Sequence, residues 1–105
     1  MNKKKLNASR KKIDQLDKII FRLIKKRTSI VKHMLSLKKH KNQIVDRKRI
    51  NKILKNIKKE SIKNNIDPKI TVRIWKSIIW SYVDYQRRNF KKKIIIYYVG
   101  VIFFQ

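Results

Sequence analysis

Residues 19–39, IIFRLIKKRTSIVKHMLSLKK, decide the fold. Apolar side chains recur there every three or four residues, with neither glycine nor proline to interrupt them. That spacing predicts one apolar stripe on a helix. The pattern extends towards the N-terminus. Heptad phasing puts Ile13, Ile20, Arg27 and Met34 at one seam position, and Arg10, Asp17, Ile24, Val31 and Lys38 at the other. Three cations, Arg10, Arg27 and Lys38, thus lie on a seam built for apolar contact.

The chain has 105 residues, enough for one domain near the lower size at which a core forms alone. It holds one glycine, Gly100, and one proline, Pro68. A sandwich or barrel needs a turn about every ten residues, so the composition predicts an all-α fold. The absence of cysteine excludes disulfide scaffolds, thiolate metal sites and thiol chemistry. The basic start, MNKKKLNASRKK, lacks the uninterrupted apolar run of a signal peptide, and a cytoplasmic protein is expected.

The formal charge is +25, from 31 Lys and Arg against 6 Asp and Glu. Such a charge attracts polyanions, so a basic helical protein that binds nucleic acid or an anionic membrane surface is one reading. The lysines alternate with isoleucine and asparagine throughout, however, which places most of them on solvated faces. No specific nucleic-acid site is expected.

Residues 1–8 read as a frayed basic leader, with a first helix starting near the N-cap Ser9 and running to about Lys39. A polar connection, HKNQIV at 40–45, leads to Asp46, an N-cap for a second helix over about 47–64 with Ile50, Ile53, Leu54, Ile57 and Ile62 as its apolar residues. In NNIDP at 64–68 the asparagines suit a left-handed stop, Asp67 a cap, and Pro68 the first position of a third helix, which runs to about residue 92. Trp75, Ile78, Ile79, Tyr82 and Gln86 share one side of it. The domain therefore spans 9–92, one long helix and two shorter ones. The apolar tail 93–105 has no assigned role and is well short of the roughly 20 residues that span a bilayer, so no transmembrane segment is expected. A first helix of about 31 residues measures about 46 Å, against a radius of gyration of about 13 Å for a compact 100-residue domain. Its seam overhangs two short partners, and an intertwined dimer is the simplest cover.

An unpaired buried cation is costly. Arg10, Arg27 and Lys38 either pair with Asp17 and Asp46, reach out to solvent, or hold an anionic ligand. With Arg49 at the start of the second helix, cations outnumber these acids. Gln86, flanked by Tyr82 and Phe90, needs partners for both ends of its amide if buried. It either bridges helices or reads an uncharged oxygen of the same ligand. No glycine-rich phosphate loop or nucleophile elbow is present, and His33 and His40 lack companion ligands, so no metal site is expected. Any catalysis must come from positioning and electrostatics.

Taken together, SRKKIDQLDKIIFRLIKKR, LKK, IVDRKR, NNIDP and IIWSYVDYQ resemble, in order, the all-helical chorismate mutase family (type II) and its relatives, the isochorismate pyruvate lyases. The likeness covers roughly residues 9–90. It implies an intertwined homodimer of three-helix chains with two shared active sites, and no cofactor. It further implies an isomerase that rearranges chorismate to prephenate in the shikimate route to phenylalanine and tyrosine. By position, Arg10 resembles the arginine lent to the partner subunit's site, while Arg27 and Arg49 resemble those around the substrate carboxylates. Lys38 resembles the lysine that meets a carboxylate and the ether oxygen, and Gln86 the second donor to that oxygen. Asp46 falls on the acidic position before the second helix, near the substrate hydroxyl or capping the helix. Asp17 looks structural. Two positions depart from the pattern. Ile50 replaces a glutamate that usually holds the substrate hydroxyl, and Tyr82 replaces a serine in the substrate-binding set, with Ser81 beside it. Both changes, and the short stretch from Lys38 to Arg49, lean towards the lyase, which gives salicylate and pyruvate. The acid retained in IVDRKR leans towards the mutase, which is the expected principal activity.

Overall fold

The structure, a computed structural model, describes residues 2–104, with side chains described for residues 2–90. It contains three α-helices, α1 (Lys3–Leu37), α2 (Arg47–Lys63) and α3 (Pro68–Phe104), with a single 3₁₀ turn, Lys41–Gln43, between the first two. There is no strand among the described residues, and the all-α expectation holds.

The ends of α1 and α3 differ from expectation. Ser9 is not a cap, and residues 3–8 are the first turns of α1 rather than a frayed leader. Asn2 takes the capping role, its Oδ1 accepting from the Lys5 backbone N–H at 3.1 Å while its carbonyl accepts from Leu6 at 3.1 Å. With the first donors satisfied there and no breaker before Ser9, the helix has no reason to begin later. Likewise α3 continues past residue 92 to Phe104. Lone Gly100, which costs a helix about 1 kcal/mol, does not stop it. What the tail 93–105 does is a question of side chains that lie outside the described residues.

Two compact units make up the chain, residues 1–33 and 34–105. The first is the greater part of α1. Ile13, Leu16, Ile20 and Leu23 share one stripe of it and are 52–57% exposed, so the stripe is uncovered over residues 13–23.

In the second unit α2 packs on α3. The turn between them is the one read from NNIDP. Asn64 caps the end of α2, Asn65 takes the left-handed conformation at φ 57°, and Asp67 Oδ1 accepts from the Lys69 N–H at 2.9 Å, with Pro68 at the first helical position. Near the turn, buried Ser61 donates its hydroxyl proton to the Ile57 carbonyl at 2.6 Å and so accepts from the Thr71 hydroxyl at 2.5 Å. Ile62, one of the apolar residues of α2, is 60% exposed. At about 100° per residue Ser61 falls in line with Ile57 and Ile62 is turned away.

Leu35, Ile44, Val83 and Phe90 form the core of this unit, with Val45 and Tyr85 packed against it. Ile44 and Val45 come from the loop, and they pin the α1–α2 connection to α3. Gln43 fastens the same loop, its Oε1 accepting from the N–H groups of Lys39 and His40 at 2.8 and 2.9 Å. The loop that carries Lys38 out of α1 and Asp46 into α2 is thereby held at three points. Among the described residues, no helix is long and apolar enough to cross a membrane.

Candidate active site

Lys38 follows the last residue of α1, and its backbone N–H bonds back to the Leu35 carbonyl at 3.1 Å. Buried Leu35, three residues earlier, anchors the turn from which Lys38 projects. Its half-buried ammonium donates to Oε1 of Gln86 at 2.7 Å, across 48 residues of sequence. A charged donor shortens and strengthens such a bond.

Gln86 lies between Val83 and Phe90 on the packed face of α3 and is 7% exposed. Its Nε2 donates to the Tyr82 carbonyl one turn earlier at 3.2 Å. Both ends of the buried amide are therefore satisfied, as burial requires. The bond from Lys38 also fixes which end of the amide is oxygen. The amide nitrogen has two hydrogens, of which the Tyr82 carbonyl takes one. Half-buried Tyr82 contributes its backbone oxygen to this arrangement.

Asp46 is the N-cap of α2. Its Oδ1 accepts from the Arg49 N–H at 3.0 Å, and its own carbonyl accepts from Ile50 at 2.9 Å. The expected cap is present, and of the two acids weighed as partners for the seam cations, Asp46 serves the backbone of Arg49. Asp46→Ala is expected to lower the unfolding free energy by about 1 kcal/mol, and Asp46→Asn much less, because asparagine caps about as well. Urea denaturation of the two variants measures the difference, and equal losses would contradict the capping role.

An open cleft of about 790 Å³ joins these elements; Lys38, Asp46, Arg47, Lys48 and Arg87 line it, with Asn42 and Gln43 on the loop side. Four of these side chains are cationic and one is acidic. Arg49 is exposed in the first turn of α2 and does not line the cleft.

The remaining residues read from the sequence belong to the first unit. Arg27 is half-buried on the seam of α1. Arg10 is exposed and donates to Asn7 Oδ1 at 3.5 Å. Asp17 is exposed and lines a shallow hollow with Asp14, Lys18, Phe21 and Arg22, and His33 and His40 are exposed. The structure thus brings together Lys38, Gln86 and the backbone of Tyr82, and sets Asp46 in the same cleft as Lys38.

Arg87 was not singled out in the sequence. The signal was its place directly after Gln86, which puts it on the next face of α3 about 100° round. In the run QRRN it looked like surface charge. Arg47 and Lys48 were passed over for the same reason.

Compared with known proteins, the sequence matches the family described as chorismate mutase type II over residues 9–87. No curated protein and no solved structure matches it.

Proposed function

The chain belongs to the chorismate mutase type II family and is an enzyme of the chorismate mutase kind, and from that premise we propose that it rearranges chorismate to prephenate. The observation that carries the proposal is the 2.7 Å contact between the Lys38 ammonium and the Gln86 amide, placed beside a cleft rich in cations.

The reaction is pericyclic. One carbon–oxygen bond breaks as a carbon–carbon bond forms, no group is transferred, and negative charge builds on the ether oxygen. Donors aimed at that oxygen bind the transition state more tightly than the ground state, which is what accelerates the step. In this reading Lys38 and the second Nε2 hydrogen of Gln86 are those donors. Lys38 also meets a substrate carboxylate. Arg27 and Arg49 hold the two carboxylates in the compact conformer, their forked guanidinium groups matching carboxylate geometry. Asp46 caps α2 and lies where the substrate hydroxyl would be held. Tyr82, in place of the family's usual serine, joins the substrate-binding set.

The active form is a homodimer in the same reading. A second copy of α1 covers the apolar stripe of Ile13, Leu16, Ile20 and Leu23, and Arg10 crosses into the partner subunit's site. Two inactive variants, Arg10→Ala and Arg27→Ala, then complement each other. Random reassociation of equal amounts makes half the dimers mixed, and in each mixed dimer one site carries neither substitution. Activity recovers to about one quarter of the wild-type value per site. No recovery after verified subunit exchange would contradict a shared site.

A second reading is favoured by Ile50, half-buried in α2 where the family's usual glutamate would hold the hydroxyl. It makes the chain an isochorismate pyruvate lyase, using the same cations and the same ether-oxygen donors. Incubation with isochorismate tests it. Salicylate and pyruvate outpacing prephenate formation from chorismate would establish the lyase, and no pyruvate would remove it. The cytoplasm is the proposed location for either activity.

A further inference from the structure

Arg87 is exposed and lines the cleft with Lys38, although its neighbour Gln86 is buried. The next residue, Arg88, is turned to other work, its Nε donating to Asp84 Oδ2 at 2.8 Å in an exposed ion pair. Arg87, Arg47 and Lys48 make no ion pair among the described residues. The cleft they share has one carboxylate, Asp46, which is already bonded to the Arg49 N–H. Three cations therefore stand at an open mouth, and the cation at its inner side, Lys38, is the one that touches Gln86.

We infer that Arg87, with Arg47 and Lys48, is a cationic entrance that captures the dicarboxylate and delivers it to Lys38 and Gln86. The inference rests on the proposed function. Such an entrance acts before the chemistry. Clefts lined by one sign of charge raise on-rates by about 10–1,000-fold, an effect that falls with ionic strength. Groups that bind substrate and transition state alike, or only speed encounter, change kcat/KM and leave kcat alone. Arg87 is thus a capture residue, distinct from the two donors that meet the ether oxygen.

The test is steady-state kinetics with chorismate at about 0.01 M and about 0.15 M salt, where the screening length is about 30 Å and about 8 Å. Arg87→Ala is expected to lower kcat/KM about tenfold at the lower salt and about threefold or less at the higher, with kcat unchanged. Arg87→Lys keeps most of the wild-type value, because capture needs charge rather than a fork. The control is Lys59→Ala on α2, which removes the same charge about 17 Å along the helix from Lys48; it leaves the kinetics unchanged at the higher salt. Equal falls in kcat and kcat/KM for Arg87→Ala, no change at either salt, or an equal loss in Lys59→Ala would each overturn the inference. A wild-type chain inert towards chorismate overturns the proposed function instead. Calorimetric binding of chorismate then decides the inference: about tenfold weaker binding by Arg87→Ala upholds it, and unchanged affinity overturns it.

Discussion

Lys38→Ala is expected to lower kcat/KM for chorismate by at least about 1,000-fold while the helical signal in circular dichroism stays as in the wild type. One oxyanion donor is worth about 2.7–4 kcal/mol of transition-state stabilisation. Lys38 stands at the upper end of that range because it is charged and, in the proposed reading, serves a carboxylate as well as the ether oxygen. Its half-buried position beside Gln86, at 2.7 Å, raises its effect further, since a partly dry donor is less screened. The substitution also leaves Gln86 Oε1 buried without its donor, at a cost of about 1–3 kcal/mol. A lower Tm therefore accompanies the loss of activity. The two effects separate through Lys38→Arg. A guanidinium restores a donor to Gln86, but its rigid plane does not reproduce the ammonium's point contact with the ether oxygen. Stability returns with Lys38→Arg and most of the activity does not. Full activity in Lys38→Ala would refute the site.

Gln86→Ala should cost about 100–1,000-fold in kcat, the effect of removing one neutral donor, and Gln86→Glu gives the sharper result. A carboxylate at position 86 accepts from Lys38 as the amide oxygen does, but its other oxygen has no hydrogen for the Tyr82 carbonyl. Ionised, it has no proton to give the ether oxygen and opposes the charge that develops there. Protonated, it has one hydrogen where the amide has two, and donates to the ether oxygen when the Tyr82 carbonyl does not hold that hydrogen. The variant should be as poor as Gln86→Ala at neutral pH and should gain activity as the pH falls towards the carboxyl range, near 4.3 for an unperturbed glutamate. The Lys38 ammonium favours the ionised form, whereas burial and the facing Tyr82 carbonyl favour the protonated one. A pH–rate profile of kcat measures this. A damaged fold would give low activity that worsens in acid, so a profile flat or falling in acid would contradict the donor role of Gln86.

Much of this site was legible because its parts obey local rules. Asp46 and Asp67 read as caps from their place before helical runs, and both make the expected side-chain bonds. Gln86 stood out as a polar residue on the apolar side of a helix, where burial would require partners for both ends of its amide. Lys38 stood out as a cation on a seam. Their contact did not follow from local pattern, since it joins residues 48 apart, and the likeness to a known helical family supplied the expectation that they serve one oxygen.

The misreadings have equally specific causes. Asn2 and Ser9 are both good caps, and the sequence offers no rule to choose between them while nothing in residues 3–8 resists a helix. Ile62 was counted among the apolar residues of α2, but the helical angle turns it outward and puts Ser61 on the packed face, where its hydroxyl meets Thr71. Arg87 was hidden by abundance. In a chain with 31 lysines and arginines, one more exposed arginine carries no signal until the cleft shows which neighbours it keeps. The exposed stripe of α1 was anticipated from an expected length of about 31 residues, about 46 Å, set against the size of a compact domain; the helix has 35 residues, and α3, expected to be shorter, has 37.

The central claim is that the Lys38–Gln86 pair serves a pericyclic rearrangement. The most direct measurement is to incubate the purified chain with chorismate and follow both substrate loss and product identity. The account predicts prephenate as the product, formed at a rate proportional to enzyme concentration, and lost in Lys38→Ala. Chorismate consumed no faster than without the protein, or prephenate formed equally well by Lys38→Ala, would contradict it.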